Sequence, residues 1–281
     1  MNPEPRQVIR IIEPQPVVEG AGVRLKRSIA GAALDYLDPF LLFDHFGSDN
    51  PRDYLAGFPM HPHRGIETVT YMLAGVVTHR DSLGNAGTIG AGDVQWMTAG
   101  RGIMHEEMPQ PKDGRMAGFQ LWVNLPARLK MTRPRYQEVA AAQIPEAQLA
   151  GGVRVRVIAG RVGDAVWPVT EIAADPAYLD VTLPADAAFT HAIPRGHTAF
   201  AYLFGGSGVF GGGETAVGQP KLLVFGDGDL IQARGGRVGV RFLLISGQPL
   251  GEPIARYGPF VMNTREEIMQ TLEDLRNGTF V

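Results

Sequence analysis

The strongest constraint on this chain is a recurring alternation: short runs rich in β-branched and aromatic residues, each closed by a turn signal. In the first half these runs are Gly22–Leu25, Glu67–Leu73, Gly75–His79, Asp93–Met97 and Phe119–Leu125. The last alternates cleanly, with Phe119, Leu121, Val123 and Leu125 on one face and Gln120, Trp122 and Asn124 on the other. A second series follows at Val153–Ile158, Tyr178–Leu183, Thr198–Phe204, Lys221–Phe225 and Val238–Ile245. With 36 glycines and 21 prolines in 281 residues, turns are plentiful and long helices are disfavoured. Short strands at this spacing predict an all-β chain of sandwich or barrel type.

The two series read as one module used twice. Gly92-Asp93 and Gly100-Arg101 repeat 136 residues later as Gly228-Asp229 and Gly236-Arg237. At an offset of 131, Tyr71 falls on Tyr202 and Gly75 on Gly206. The polar, proline-containing stretch from Thr132 to Gly152 separates the modules, giving expected domains 1–135 and 136–281. A helix is expected at 264–277. There Thr264 and Glu267 have capping-box spacing, Ile268, Leu272 and Leu275 form one stripe, and Gly278 supplies a stop. A second, shorter helical piece is expected at Pro145–Leu149.

Composition removes several function classes. A net charge of −3 with scattered Lys and Arg leaves no electrostatic footprint for nucleic acid. The absence of cysteine excludes disulfides, thiolate metal sites and a Cys nucleophile. The N-terminus lacks the basic and apolar regions of a signal peptide, and no apolar run reaches the roughly 18 residues of a membrane span. A cytoplasmic protein is the expectation.

Two compact motifs carry the chemistry: His61-Pro62-His63, followed by Glu67, and His105-Glu106-Glu107. In extended backbone, residues i and i+2 point to the same side. His61 and His63 can therefore face one interior point, and so can His105 and Glu107. Three imidazoles and one carboxylate suit a divalent Fe, Mn, Ni, Cu or Zn ion. Glu67 shares the parity of the first pair and is a fifth ligand, a partner of Arg64 or a group orienting a ligating histidine. Glu106 points away. His45 and His79 lie near turns without paired neighbours and read as structural or surface residues, His45 being the better placed to line a pocket. The second module has Ala192, Pro194, Arg241 and Leu243 at the corresponding positions, so its expected role is structural.

The segments His61–Tyr71, Gly92–Pro109, Gln120–Leu125 and Tyr257–Ile268 together resemble the pirin family, within the wider cupin pattern. The resemblance runs from about Asp38 to the C-terminus. It implies a bicupin of two cupin-type β-barrels (double-stranded β-helices), one metal in the N-terminal barrel, and His61, His63, His105 and Glu107 as ligands. It also implies that Glu67 is a bystander and that iron(II) is the usual ion. The implied activity is quercetin 2,3-dioxygenase: opening of a flavonol ring by O2 with release of carbon monoxide, Glu107 acting as ligand and base. The other function associated with the family is that of an iron-dependent transcriptional coregulator, which would bind a protein partner without turnover.

A planar aromatic substrate requires apolar walls. Phe58, Met60, Trp96, Met104 and Trp122 are the candidates by proximity to the ligands. Arg64 and Arg101 either recognise an anionic group or stabilise turns. Gly206–Gly211 matches the spacing of a dinucleotide loop, but the Gly- and Pro-containing stretch that follows cannot form the required helix, so a hairpin is expected there.

Overall fold

The alternating runs become antiparallel strands in the protein, seen here in a computed structural model that describes residues 3–111, 114–167 and 172–281. The chain divides into two units: residues 15–143 with 250–281, and residues 1–14 with 144–249.

The first unit contains a seven-stranded sheet in the order Arg135–Val139, Val94–Thr98, Ile66–Ala74, Met116–Asn124, Phe40–Ser48, Val23–Ile29 and Gln15–Glu19. A four-stranded sheet runs Phe58–His63, Ile103–Gln110, Val76–Asp81 and Ala86–Ile89. The alternation of Phe119–Leu125 is realised as read. Phe119 stacks on Tyr71 and Phe43 on one face, while Gln120 and Trp122 line a cavity on the other.

Residues 250–281 complete this unit. The fully buried ammonium of Lys130 donates to the carbonyls of Gly65 and Val261 and to Asn124 Oδ1, at 2.8–3.0 Å. Gly65 has φ +79°, and a Cβ there would collide with the Val261 carbonyl, so only glycine permits this close approach. The helix Arg265–Asn277 carries the predicted capping box between Thr264 and Glu267 and ends at Gly278 in the left-handed region. Its buried stripe differs from expectation in one residue. Ile268 and Leu272 pack on Phe260, Met262 and Phe280, but Leu275 is exposed and Thr271 is buried in its stead. Arg64 causes the change, because its guanidinium reaches Thr271 Oγ1 at 3.2 Å and Asp274 Oδ2 at 2.6 Å while lying over the Phe280 ring. Arg64 is thus a buried clamp and takes no part in anion recognition.

The second unit is built on a nine-stranded sheet. Its main order is Val8–Ile12, Lys221–Phe225, Thr198–Phe210, Leu230–Gly247, Ala177–Leu183, Val153–Ala159 and Glu146–Leu149. The repeat offsets survive in it: Val94–Thr98 corresponds to the start of Leu230–Gly247, and Ile66–Ala74 to Thr198–Phe210. Three expectations are corrected here. The helical piece at Pro145–Leu149 is instead the strand Glu146–Leu149, paired with Val153–Ala159. A five-residue segment cannot offset helix nucleation, whereas an adjacent strand edge supplies a backbone partner for each residue. The cut at 135/136 moves to 143/144, because Arg135–Val139 pairs with Val94–Thr98. The chain termini also belong to the opposite units. Val8–Ile12 pairs with Lys221–Phe225, and the buried Arg6 guanidinium donates to the carbonyls of Pro194, His197 and Gly228.

The segment Gly206–Phe210 is strand, followed by a turn and the short strand Val217–Gly218, so no dinucleotide loop exists. Among the described residues no helix is long and apolar enough to cross a membrane.

Candidate metal centre

In the four-stranded sheet His105 lies directly opposite His61, and Ile103 opposite His63. Because the histidines sit at i and i+2 of one strand and across from it on the next, their rings converge. His61 and His105 centroids are 4.3 Å apart, His61 and His63 4.9 Å, and His63 and His105 5.0 Å. One ring nitrogen from each lies within 4.8 Å of those of the other two.

The hydrogen bonding prepares these nitrogens for a cation. His61 Nδ1 is 2.9 Å from the Pro59 carbonyl, which fixes the proton on Nδ1 and leaves Nε2 as a lone pair. That Nε2 faces His63 Nε2 at 3.1 Å. His105 is fully buried, and neither of its ring nitrogens has a hydrogen-bond partner. An unsatisfied buried polar atom costs roughly 1–3 kcal/mol. A divalent ion at the focus of the three rings would take up one of the two His105 nitrogens, so the residues present fit a metal. Burial pushes all three imidazoles toward the neutral, ligating form, His63 down to about 3 with a further push from His61.

Glu107 stands beside this cluster rather than within it. A register shift between His105 and Glu107 sets the carboxylate opposite Phe58. Its Oε1 accepts from Thr70 Oγ1 at 3.0 Å and from Gln95 Nε2 at 3.4 Å. Burial raises its pKa to about 7, against the opposing effect of those two hydrogen bonds.

His61, His63 and Glu107 open on a cavity of about 570 Å3. Phe58 and Trp122 form apolar walls, and Trp122 meets His63 edge-on at 5.0 Å. A line of polar residues crosses the large sheet in register: Gln95, Thr70, Gln120, Asp44 and Arg27. Arg27 holds Asp44 through two bonds of 2.8 and 2.7 Å and reaches Glu19 at 2.6 Å. Sequence reasoning missed this line. Its signal was present as a single polar residue inside each apolar run, such as Thr70 in Val69-Thr-Tyr71 and Gln95 in Val94-Gln-Trp96.

With this geometry in hand, two family matches decide the affiliation: residues 22–123 match Pirin and residues 178–281 match the Pirin C-terminal cupin domain. The chain belongs to the pirin family. A pirin-like protein of Caulobacter vibrioides is 46% identical over 98% of this chain and 99% of its own. Rat pirin is 43% identical over 92% of this chain and 88% of its own. The crystal structure of a quercetin 2,3-dioxygenase from Acinetobacter baumannii superposes with a TM-score of 0.89, at 35% identity and 98% coverage of both chains. The bicupin architecture expected of a pirin is therefore present.

Of the five wall candidates in this pirin, Phe58 and Trp122 line the cavity, while Met60, Trp96 and Met104 do not. Strand parity explains all three. Met60 and Met104 each neighbour a histidine of the cluster and so point to the opposite face, Met60 half exposed and Met104 packed toward Phe260 and Met262. Trp96 neighbours Gln95, which faces Glu107, so its indole is buried on the other side. Glu67 accepts from Thr98 Oγ1 at 2.7 Å and is not part of the three-histidine cluster. His45 packs at a tilt against Phe119, with ring centroids 4.8 Å apart, and lines a separate pocket.

His79 departs most from expectation. It is buried beside His105, stacked on Tyr136, with its ring nitrogens toward Asp81 and Gln95. The i, i+2 spacing of His79 and Asp81 mirrors the ligand motifs and could have identified it.

These buried histidines give the metal-free protein a definite pH response. An imidazole whose folded pKa lies below its unfolded value contributes stability above the unfolded pKa, near 6.5, and loses it as pH falls toward the folded value. His45, held at about 4 by burial, and His63, at about 3, act in this sense, as do His61, His79, His105 and His191. Glu107, raised to about 7, opposes them between pH 7 and about 4.5, but it is outnumbered. The urea midpoint of the chelator-treated protein is expected to fall continuously from pH 7 to pH 4. A flat profile over that range would contradict the burial described.

Proposed function

We propose that this pirin is a metal-dependent dioxygenase of the quercetin 2,3-dioxygenase type, with His61, His63, His105 and Glu107 holding one divalent ion, iron(II) in the native protein. The observation that carries this reading is the convergence of three ligand-ready imidazoles beside a cavity-facing carboxyl group held by Thr70 and Gln95. The Acinetobacter baumannii enzyme named for this activity supports it.

When bound, the ion supplies Lewis acidity toward a substrate hydroxyl and a site at which O2 chemistry can occur. The side chains do the rest. Thr70 and Gln95 hold Oε1 of Glu107, leaving Oε2 to accept the proton of the flavonol 3-hydroxyl. Phe58 and Trp122 flank the ring system, and Gln120 and Asp44 present acceptors to its hydroxyl groups. In the overall reaction two carbon–carbon bonds of the flavonol break, both atoms of O2 enter the ring-opened ester, and one carbon leaves as CO.

The test is O2 uptake by the iron-loaded protein with quercetin, with CO measured in the headspace and an anaerobic control. Glu107→Gln is expected to lower kcat by about 10²–10⁴, the usual contribution of a positioned general base. A protein that binds iron stoichiometrically yet consumes no O2 with quercetin would sink the flavonol assignment. A variant turning over at the wild-type rate would remove Glu107 from the chemistry.

A further inference from the structure

Arg256 is an exposed cation lining the cavity that the reaction above does not use. It lies in the strand Ala255–Tyr257 and lines the same cavity as His61, His63 and Glu107. Its guanidinium carbon sits 5.3 Å from the centre of the Trp122 ring, and that ring is itself edge-on to His63. One indole therefore separates Arg256 from the histidine cluster. The head group is oriented as well as placed: Nη1 donates to the Leu41 carbonyl at 3.3 Å and Nε to the Gly258 carbonyl at 3.4 Å.

What Arg256 lacks is a carboxylate. Arg27, which lines the same cavity, is held by Asp44 and Glu19. Arg64 is held by Asp274, and Arg241 by Asp180. Among the described residues none forms an ion pair with Arg256, and its Nη2 makes no hydrogen bond. Of the acids that act on Arg256 electrostatically, Asp44 and Glu19 are already bonded to Arg27, so they are poor competitors for it, and Asp35 forms no ion pair with it. A guanidinium stacked on an aromatic face, fixed through its carbonyl contacts and left with unused donors toward a cavity, is suited to a planar ligand bearing an oxyanion.

We propose that Arg256 is a specificity-determining residue, selecting planar aromatic substrates that carry an anionic oxygen substituent at the end remote from the histidine cluster. This rests on the reading that a planar aromatic compound occupies the cavity. The ring enters beside Trp122 with its enolic hydroxyl toward Glu107. The distal oxyanion meets Nη2 of Arg256 in a charge-assisted hydrogen bond.

The test is an anaerobic fluorescence titration, which requires no turnover, using 3-hydroxyflavone, its 4′-hydroxy derivative and its 4′-carboxylate. Wild-type protein is expected to bind the carboxylate more tightly than 3-hydroxyflavone by a factor on the order of ten. In Arg256→Met and Arg256→Gln that ratio should fall to about one. In Arg256→Lys part of it should remain, since the charge persists without the planar fork. Thermal melts of each variant check the fold. An undiminished ratio in both neutral variants would overturn the proposal. So would a wild-type gain for the 4′-hydroxyl equal to that for the carboxylate, which would make Arg256 a neutral hydrogen-bond donor only. The outcomes separate from the dioxygenase assignment: carboxylate selectivity without O2 uptake refutes turnover and leaves Arg256 its role, whereas turnover without selectivity does the reverse.

Discussion

Purified His105→Ala protein is expected to carry less than about a tenth of the metal of the wild type and to show no O2 uptake above background. His105 is the centre of the cluster, since its strand pairs with that of His61 and His63 on one side and with that of His79 on the other. Loss of a hydrogen-bond partner behind a ligand already lowers metal affinity by roughly 10–100-fold, and loss of a ligand itself should exceed that. A second substitution separates binding from folding. The wild-type imidazole is buried with both nitrogens unsatisfied, a penalty that a bound ion relieves at one of them. In His105→Phe the ring is kept and the polar atoms are removed, so the metal-free variant should be more stable than the metal-free wild type, by about 1–3 kcal/mol. Elemental analysis and paired urea denaturations check both statements. Stoichiometric metal in His105→Ala would refute the cluster as the metal centre.

Lys130→Met is expected to destabilise the protein by about 3 kcal/mol. The Lys130 ammonium is 1% exposed and held by three acceptors, and burial lowers its pKa to about 8. Methionine fills the volume but leaves those acceptors without their donor, at roughly 1–3 kcal/mol for each. The total is reduced because the Gly65 carbonyl also accepts from the Leu125 amide, and because the desolvation penalty of a buried charge disappears. For a chain of this size the loss corresponds to a fall in Tm of roughly 6–12 °C. The damage should reach the metal centre, since Lys130 ties Val261 to Gly65, two residues beyond His63. Reduced metal retention in a variant with no direct contact to the cluster is the expected signature. A variant melting within about 2 °C of the wild type would show that these bonds contribute little.

Most of the centre was legible in the chain. The i, i+2 spacing of His61 with His63 predicts convergence on one side of a strand, and the structure brings both onto His105. The same rule applied to His79 and Asp81 would have found the group behind His105. Proximity in sequence misled for Met60, Trp96 and Met104. In a strand the immediate neighbour of a ligand is the residue most certain to face away from it.

Other features depend on contacts that no local pattern encodes. Arg27, Asp44, Gln120, Thr70 and Gln95 come from five strands, and only the register of the sheet sets them in one line. Arg256 reaches the cavity because the chain returns to the first unit after residue 249, and the cut at 135/136 moved because Arg135–Val139 pairs with a strand about forty residues earlier.

By itself, then, the sequence determined the β architecture, its duplication, the capped terminal helix and three converging histidines. These rest on periods of two and 3.6 residues, on turn chemistry and on capping, all of which act over a few neighbouring residues. Tertiary structure alone decided which unit each terminus joins, where Glu107 stands relative to the cluster, and which side chains wall the cavity. Those depend on strand register, on one bulge after His105, and on buried donors such as Lys130 finding acceptors more than a hundred residues away.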